Sequence, residues 1–317
     1  MTAVTPIRLD TDRTDTRRAP HQGARRGYRA SRTAWLLLAP FLIGFVLFYL
    51  IPVIVAVVKS FTTVTRASTY GRASEVFAGL GNYTAALGDN GFTGSLGRVL
   101  LFGVIQIPIM LGLALVLALA LDSAVVRFRR FFRLAFFLPY AVPGVIAAVM
   151  WGFFYAPNLS PINQVLAPFG VQPDLLSGNV ILYSIANIVT WAFTGYNMLI
   201  LYSSLQAIPP QLYEAARLDG ASGWAIAWRI KVPIIAPSLV LTAVFSIIGT
   251  FQLFTEPQVM AGVSTAVSST YTPSMAAYAQ ISAQNYGLGA AMSVIVTIVI
   301  GVLSVVFFRI TRNRAAL

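Results

Sequence analysis

Glu214-Ala215-Ala216-Arg217-Leu218-Asp219-Gly220, followed nine residues later by Ile230-Lys231-Val232-Pro233, lies between two long apolar stretches. Its residues predict two short helices hinged at a glycine. Pro209-Pro210 end the preceding apolar run and suit the first turn of a new helix, where a missing N–H costs nothing. Glu214 stands near the N-terminal end of that helix, where a carboxylate opposes the helix dipole. Gly220 fits the position just past the helix end, where a left-handed backbone would cost a residue with a side chain about 1–2 kcal/mol. Ser222 is placed to cap a second short helix, with Trp224 and Trp228 one turn apart on it. Pro233 is predicted to stop that helix. Neither piece reaches the ~12–15 residues that an isolated helix needs, so this hook of residues 209–233 must dock on something.

The rest of the composition says what the hook is attached to. Of 317 residues, 57% are hydrophobic and 10% charged, whereas a soluble domain carries about 25% charged residues. Such a chain cannot cover a water-facing surface, and most of it is expected in lipid. Six stretches are long and apolar enough to cross a ~30 Å hydrocarbon core: 34–58, 99–121, 134–155, 180–205, 238–255 and 288–308. None carries an ionised residue, as lipid would demand. The chain has no Cys, and its one His, His21, lies in an arginine-rich polar tail, which leaves no thiolate nucleophile and no metal cluster.

The net charge of +12 is topological. Eight arginines precede the first stretch, four lie at 127–133, three basic residues lie in the hook and three at the C-terminus. Lys59, Arg66, Arg72 and Arg98 are the remainder. With both termini and the hook placed in the cytoplasm, this bias obeys the positive-inside rule, and nucleic-acid binding is set aside. Residues 1–33 are expected to be a disordered basic tail and 309–317 a second cytoplasmic tail. The outer loop 60–97 is long enough for a short helix. The loop 256–287, rich in Ser, Thr, Tyr and Gln, reads most simply as a plain outer loop, with re-entry into the membrane or the lining of a vestibule as the alternatives.

The hook resembles the EAA loop of permease subunits in binding-protein-dependent ABC importers, patterned E-A-A-x3-G-x9-I-x-L-P, with Val232 in place of Leu as its one departure. Weaker matches fall in the right order for the carbohydrate-type permeases, in the half that looks like the maltose-system F-type component. They are Leu36-Leu37-Leu38-Ala39-Pro40, Phe77-Ala78-Gly79-Leu80-Gly81-Asn82-Tyr83, Leu138-Pro139 with Trp151, and Trp191 followed by Gly195-Tyr196-Asn197-Met198-Leu199-Ile200. Ser160 departs from the glycine that many relatives have before the Pro-Ile-Asn run. The resemblance implies an all-α polytopic fold, that of type I ABC importer permeases, with six transmembrane helices and a coupling-helix loop, in a permease domain covering 34–308. It implies a bacterial plasma membrane, a second permease subunit of the G type, two ATP-binding subunits that hold ATP and Mg, and an extracytoplasmic binding protein that delivers a sugar. Glu214 would engage the ATPase, Ala215 and Ala216 would allow close approach, Gly220 would permit the turn, and Asp219, Ala221 and Pro233 would complete the pattern.

Two absences agree with a pore driven from outside the chain. Its only lysines, Lys59 and Lys231, do not follow a glycine, so no phosphate-binding P-loop exists. No apolar stretch holds an ionisable residue for a proton relay, which argues against a proton-coupled sugar carrier. A polytopic glycosyl or lipid transferase would need carboxylates gathered at a membrane edge, and Asp89, Asp122, Asp174 and Glu256 are scattered over different loops. Neutral polar residues inside the apolar stretches are the candidate substrate path: Gln106, Asn187, Trp191, Thr194, Tyr196, Asn197, Ser246, Thr250, Phe251 and Gln252. Trp191, Thr194 and Asn197 are expected to share one face, and Ser246 and Thr250 another. Amide and hydroxyl groups beside aromatic faces suit a sugar, and a path without charge disfavours a strongly ionic substrate.

Overall fold

Proline placement decides where the helices of this chain break. The computed structural model describes residues 32–66, 73–123, 126–157 and 159–315. The expected disordered tail lies outside them except for Arg32 and Thr33, which open the first helix. The described chain divides into two units, one ending at Pro52 and the other starting at Val53.

The first unit holds α1 (Arg32–Phe45), a π-helical turn (Val46–Leu50) and the start of α2 (Ile51–Ser60). Pro52 lacks the N–H that would bond back one turn, and its ring crowds the carbonyl there; a wider turn just before it relieves the clash.

The second unit continues with a hairpin, β1 (Thr62–Arg66) and β2 (Ala73–Phe77), paired antiparallel with Thr62 opposite Phe77. This hairpin is the single departure from an all-helical chain among the described residues. The short helix expected in the same loop is α3 (Gly81–Gly88). Then α4 (Asn90–Asp122) runs 33 residues, starting nine residues before the apolar stretch does. Asp89 sets that start: its Oδ1 accepts from the Gly91 and Phe92 N–H groups at 2.8 and 3.0 Å.

The expected third span, 134–155, is two helices, α5 (Arg129–Ala141) and α6 (Gly144–Tyr155), meeting at 94°. Val142 precedes Pro143 and is extended (φ −76°, ψ 126°), as a residue before proline prefers, so the helix cannot run through. Next come α7 (Pro161–Leu166) and α8 (Ile181–Gln206). Ser160, the departure from the family's glycine, has a local use: its Oγ caps α7 by accepting from the Asn163 N–H at 3.1 Å.

The hook follows as α9 (Pro210–Leu218), α10 (Gly223–Ile226) and a second π turn (Ala227–Lys231), which leads straight into α11 (Val232–Phe251). Pro233 therefore does not stop the second hook helix. It sits in the first turn of α11, and the π turn before it performs the same relief as the one before Pro52. The helix α11 ends at Phe251, four residues short of the expected limit at 255, at a break over Gln252–Phe254.

After that break come α12 (Thr255–Met260), α13 (Pro273–Ser282) and α14 (Tyr286–Ala315). The segment 256–287 is no plain outer loop. Met260, Val267, Tyr271 and Met275 are buried in one cluster with Ile181, Ile185 and Ile188 of α8. Arg98 of α4 holds the connection between α12 and α13, donating from Nη1 to the Tyr271 carbonyl at 2.8 Å. The helix α14 extends to Ala315, so the C-terminal tail expected from 309 is helical that far.

Among the described residues, five helical segments are long and apolar enough to cross a membrane, and six if the bent α5–α6 pair counts as one. The central pair is α4 with α8, joined towards the hook by a cluster of Ala114, Ala118, Leu121, Met198, Leu201 and Leu205. Helix α5 crosses α8 at Gly195, where a Cβ would stand 1.8 Å from the Phe136 carbonyl oxygen. Backbone meets backbone there, and only glycine fits.

Candidate functional site

The hook is built as its residues dictate. Gly220 has φ 78°, and the Gly220 and Ala221 N–H groups bond back to the Arg217 and Ala216 carbonyls at 3.0 and 2.9 Å. These two bonds satisfy carbonyls that the end of α9 would leave open. Ser222 Oγ accepts from the Ala225 N–H at 3.2 Å and starts the second helix. The Trp224 and Trp228 rings lie 5.4 Å apart. Glu214, Ala215, Asp219, Gly220 and Pro233 are exposed, and Ala216 and Ala221 half-buried. Leu218 is 89% and Trp224 74% exposed, an apolar tip that nothing among the described residues covers.

The root of the hook is buried where its tip is open. Asp122, the last residue of α4, pairs through Oδ2 with Lys231, and its Oδ1 accepts from Gln206 Nε2 at 2.6 Å. The Lys231 ammonium lies 4.8 Å from the centre of the Tyr213 ring. The Tyr213 hydroxyl is buried and has no hydrogen-bond partner among the described residues. Burial, and after it the charge of Asp122, hold that phenol above its ordinary pKa. No local pattern announces this cluster, because Asp122 and Lys231 are 109 residues apart.

The expected path residues divide. Gln106, Tyr196, Asn197, Ser246, Thr250 and Gln252 line one cleft of about 350 Å³ between α4, α8 and α11. Gln106 is 2% exposed; its Nε2 donates to Thr190 Oγ1 at 3.2 Å, and its Oε1 is buried without a partner among the described residues. Asn197 donates to the Phe193 carbonyl at 3.0 Å and Ser246 to the Thr242 carbonyl at 2.8 Å.

Four expected residues lie elsewhere. Asn187 donates to the Tyr155 hydroxyl at 2.8 Å. Trp191 packs edge-on against Trp151, with centroids 5.8 Å apart. Thr194 bonds its own helix at the Thr190 carbonyl. Phe251 is buried among Phe92, Val99, Ala276 and Met292. The shared face of Trp191, Thr194 and Asn197 is thus corrected: at 3.6 residues per turn, positions six apart end about 120° round the helix from each other. The face that lines the cleft is Val189, Phe193, Tyr196 and Asn197, a spacing of 4, 7 and 8 that the sequence could have shown. Ser246 and Thr250 do share their face.

The cleft also contains an ionisable group. Glu256 lines it at the start of α12, with its Oε1 3.5 Å from where a Cβ on Gly144, at the α5–α6 bend, would stand. Read as a loop residue, Glu256 is brought to the cleft by the break at Gln252–Phe254, which no helical periodicity encodes.

Residues 110–315 match the family described as binding-protein-dependent transport system inner membrane component. The chain belongs to that family. Among relatives of this permease is the sn-glycerol-3-phosphate transport system permease protein UgpA of Agrobacterium fabrum, 33% identical over 288 residues, covering 88% of this chain and 94% of the relative. The lactose transport system permease protein LacF of Rhizobium radiobacter is 30% identical over 88% of this chain and 94% of its own. A bacterial alginate ABC transporter, solved in complex with alginate pentasaccharide-bound periplasmic protein, has the same fold at 19% identity, with a TM-score of 0.76 over 92% of this permease and 98% of that chain. The permease is a multi-pass membrane protein and a transport subunit without an ATPase site of its own. The enzyme and proton-carrier alternatives fall with that assignment.

Proposed function

We propose that this permease is one half of the pore of a sugar importer in a bacterial plasma membrane, paired with a second permease subunit of the G type. Two cytoplasmic subunits bind ATP and Mg and grip the hook, and an extracytoplasmic binding protein delivers a sugar or oligosaccharide. The distribution of basic residues supports placing both termini and the hook in the cytoplasm. The observation that carries the ATPase contact is the hook's division of labour: a buried, ion-paired root and an exposed apolar tip. Glu214, Ala215, Ala216, Asp219, Gly220 and Ala221 are the contact surface, and Pro233 sets where the hook joins α11.

The cleft supports a neutral polyhydroxylated substrate. Amide, hydroxyl and aromatic groups line it, Gln106 Oε1 is a free acceptor for a sugar hydroxyl, and none of the lining residues is Lys or Arg. Glu256 adds a further acceptor and, when ionised, would repel a phosphate or a uronate. Alternating access then exposes this cleft to one side and the other while the ATPase subunits close and open.

The test is substrate-stimulated ATP hydrolysis by the reconstituted complex, for wild type, Gly220→Asp and Glu214→Ala. A Cβ at position 220 would meet nothing within 4 Å among the described residues, so loss of stimulation on Gly220→Asp with normal insertion reports the partner surface. Full stimulation in both variants would remove the ATPase contact from the hook. Stimulation by lactose or another neutral oligosaccharide, and none by glycerol 3-phosphate, is the expected substrate pattern.

A further inference from the structure

We propose that Asp122 and Lys231 are positioning residues that join the hook to α4 and α8, so that ATP-driven displacement of the hook moves those two helices with it. The inference rests on the reading that the hook is the ATPase contact, and goes beyond it by naming the transmission point.

Four side chains from separate elements meet at this point. Asp122 ends α4, Gln206 ends α8, Tyr213 belongs to α9, and Lys231 closes the π turn that opens α11. Both carboxylate oxygens are used, one by Lys231 and one by Gln206. The Asp122 side chain is 8% and the Lys231 side chain 13% exposed. Apolar packing at the same place, Leu121, Leu205, Ile208 and Ile235 with Tyr213 and Val232 against them, is non-directional and lets surfaces slide. An ion pair with a second hydrogen bond on the same carboxylate fixes distance and direction. A buried pair of this kind adds little net stability over well-packed apolar side chains, and its distinctive contribution is to specify one geometry.

The neighbourhood also explains why the pair can re-form after movement. The Tyr213 ring faces the ammonium and keeps it over this site. Its hydroxyl, buried without a partner close to the Asp122 charge, is a spare donor for that carboxylate if Lys231 withdraws. The carboxylate therefore need not be left bare at any stage of the stroke.

The absence of Cys makes the test direct. Spin labels at Gln211→Cys in the hook and Leu113→Cys on α4, both exposed positions, report their separation in the full complex with and without ATP and vanadate. In the wild-type background the two move together and one narrow distance distribution is kept through the cycle. Lys231→Met and Asp122→Asn are expected to co-purify with the ATPase subunits as wild type does, yet to show a shifted or broadened distance when ATP and vanadate are added. Lys231→Arg and the exchange of Asp122→Lys with Lys231→Asp are expected to restore the narrow distribution. A single variant that keeps the wild-type distance through the cycle overturns the joint, as does an exchange no better than the single variants. If Gly220→Asp abolishes stimulated hydrolysis while Lys231→Met keeps the wild-type distance, the joint fails and the hook contact stands. If Gly220→Asp leaves hydrolysis intact, the hook contact fails first.

Discussion

The two ion pairs found among the described residues sit in opposite kinds of surroundings. Lys59 and Glu75 pair at the hairpin, with side chains 38% and 52% exposed. Asp122 and Lys231 pair at the hook root, 8% and 13% exposed, with a glutamine and an aromatic ring completing the shell. The same two charge types meet in both. Water screens the first pair and competes for each partner, so the geometry is held loosely. At the second, low exposure strengthens the attraction and raises the cost of leaving either partner alone. A chain with so few charged residues has placed its most enclosed pair where two long helices and the hook converge.

The largest expected effect breaks the enclosed pair on one side. Lys231→Ala leaves the buried Asp122 without a counter-charge, with Gln206 and the Tyr213 hydroxyl as its remaining neutral donors, and should destabilise the permease by roughly 3–5 kcal/mol, read as a lowered unfolding midpoint in detergent. Removing both charges sharpens the comparison: Asp122→Leu with Lys231→Met should recover stability to within about 1 kcal/mol of wild type while hook-driven hydrolysis stays uncoupled from substrate. Recovery of coupling along with stability would mean that packing, not the ion pair, carries the motion. At the hairpin, Lys59→Ala should cost no more than about 1 kcal/mol, and that cost should fade as salt is raised. Tyr213→Phe should change least: deleting a buried hydroxyl without a partner should shift stability by under about 0.5 kcal/mol, in either direction. A larger loss would show that the hydroxyl already serves Asp122.

The hook was legible in the sequence because local chemistry specifies it. Proline at the start, glycine in the left-handed position and serine at the second cap each act within four residues, and the bonds of Gly220, Ala221 and Ser222 are those such residues make. The apolar stretches were legible for the same reason, since lipid constrains every residue in them. What failed to show had a longer reach. The 94° bend needs Pro143 to be weighed against an otherwise continuous apolar run. The burial of Tyr271 and Met275 depends on α8, some 80 positions away by the order of the chain. The cleft was half visible: polar residues could be named, but their direction depends on helix phase, which sent Trp191 and Thr194 away from Asn197 and brought Glu256 in.

The π turn at Ala227–Lys231 acts on that phase as one extra notch in a screw. Each residue turns an α-helix by about 100°, so the notch sets the rotational position of all that follows along α11. Ser246 and Thr250 face the cleft with that notch in place. Deleting one residue from 227–231 would leave composition, hydropathy and the hook's tip nearly as they are. It would nevertheless roll the fifth span about a quarter turn on its axis, turning a polar wall towards lipid and an apolar one towards the cargo.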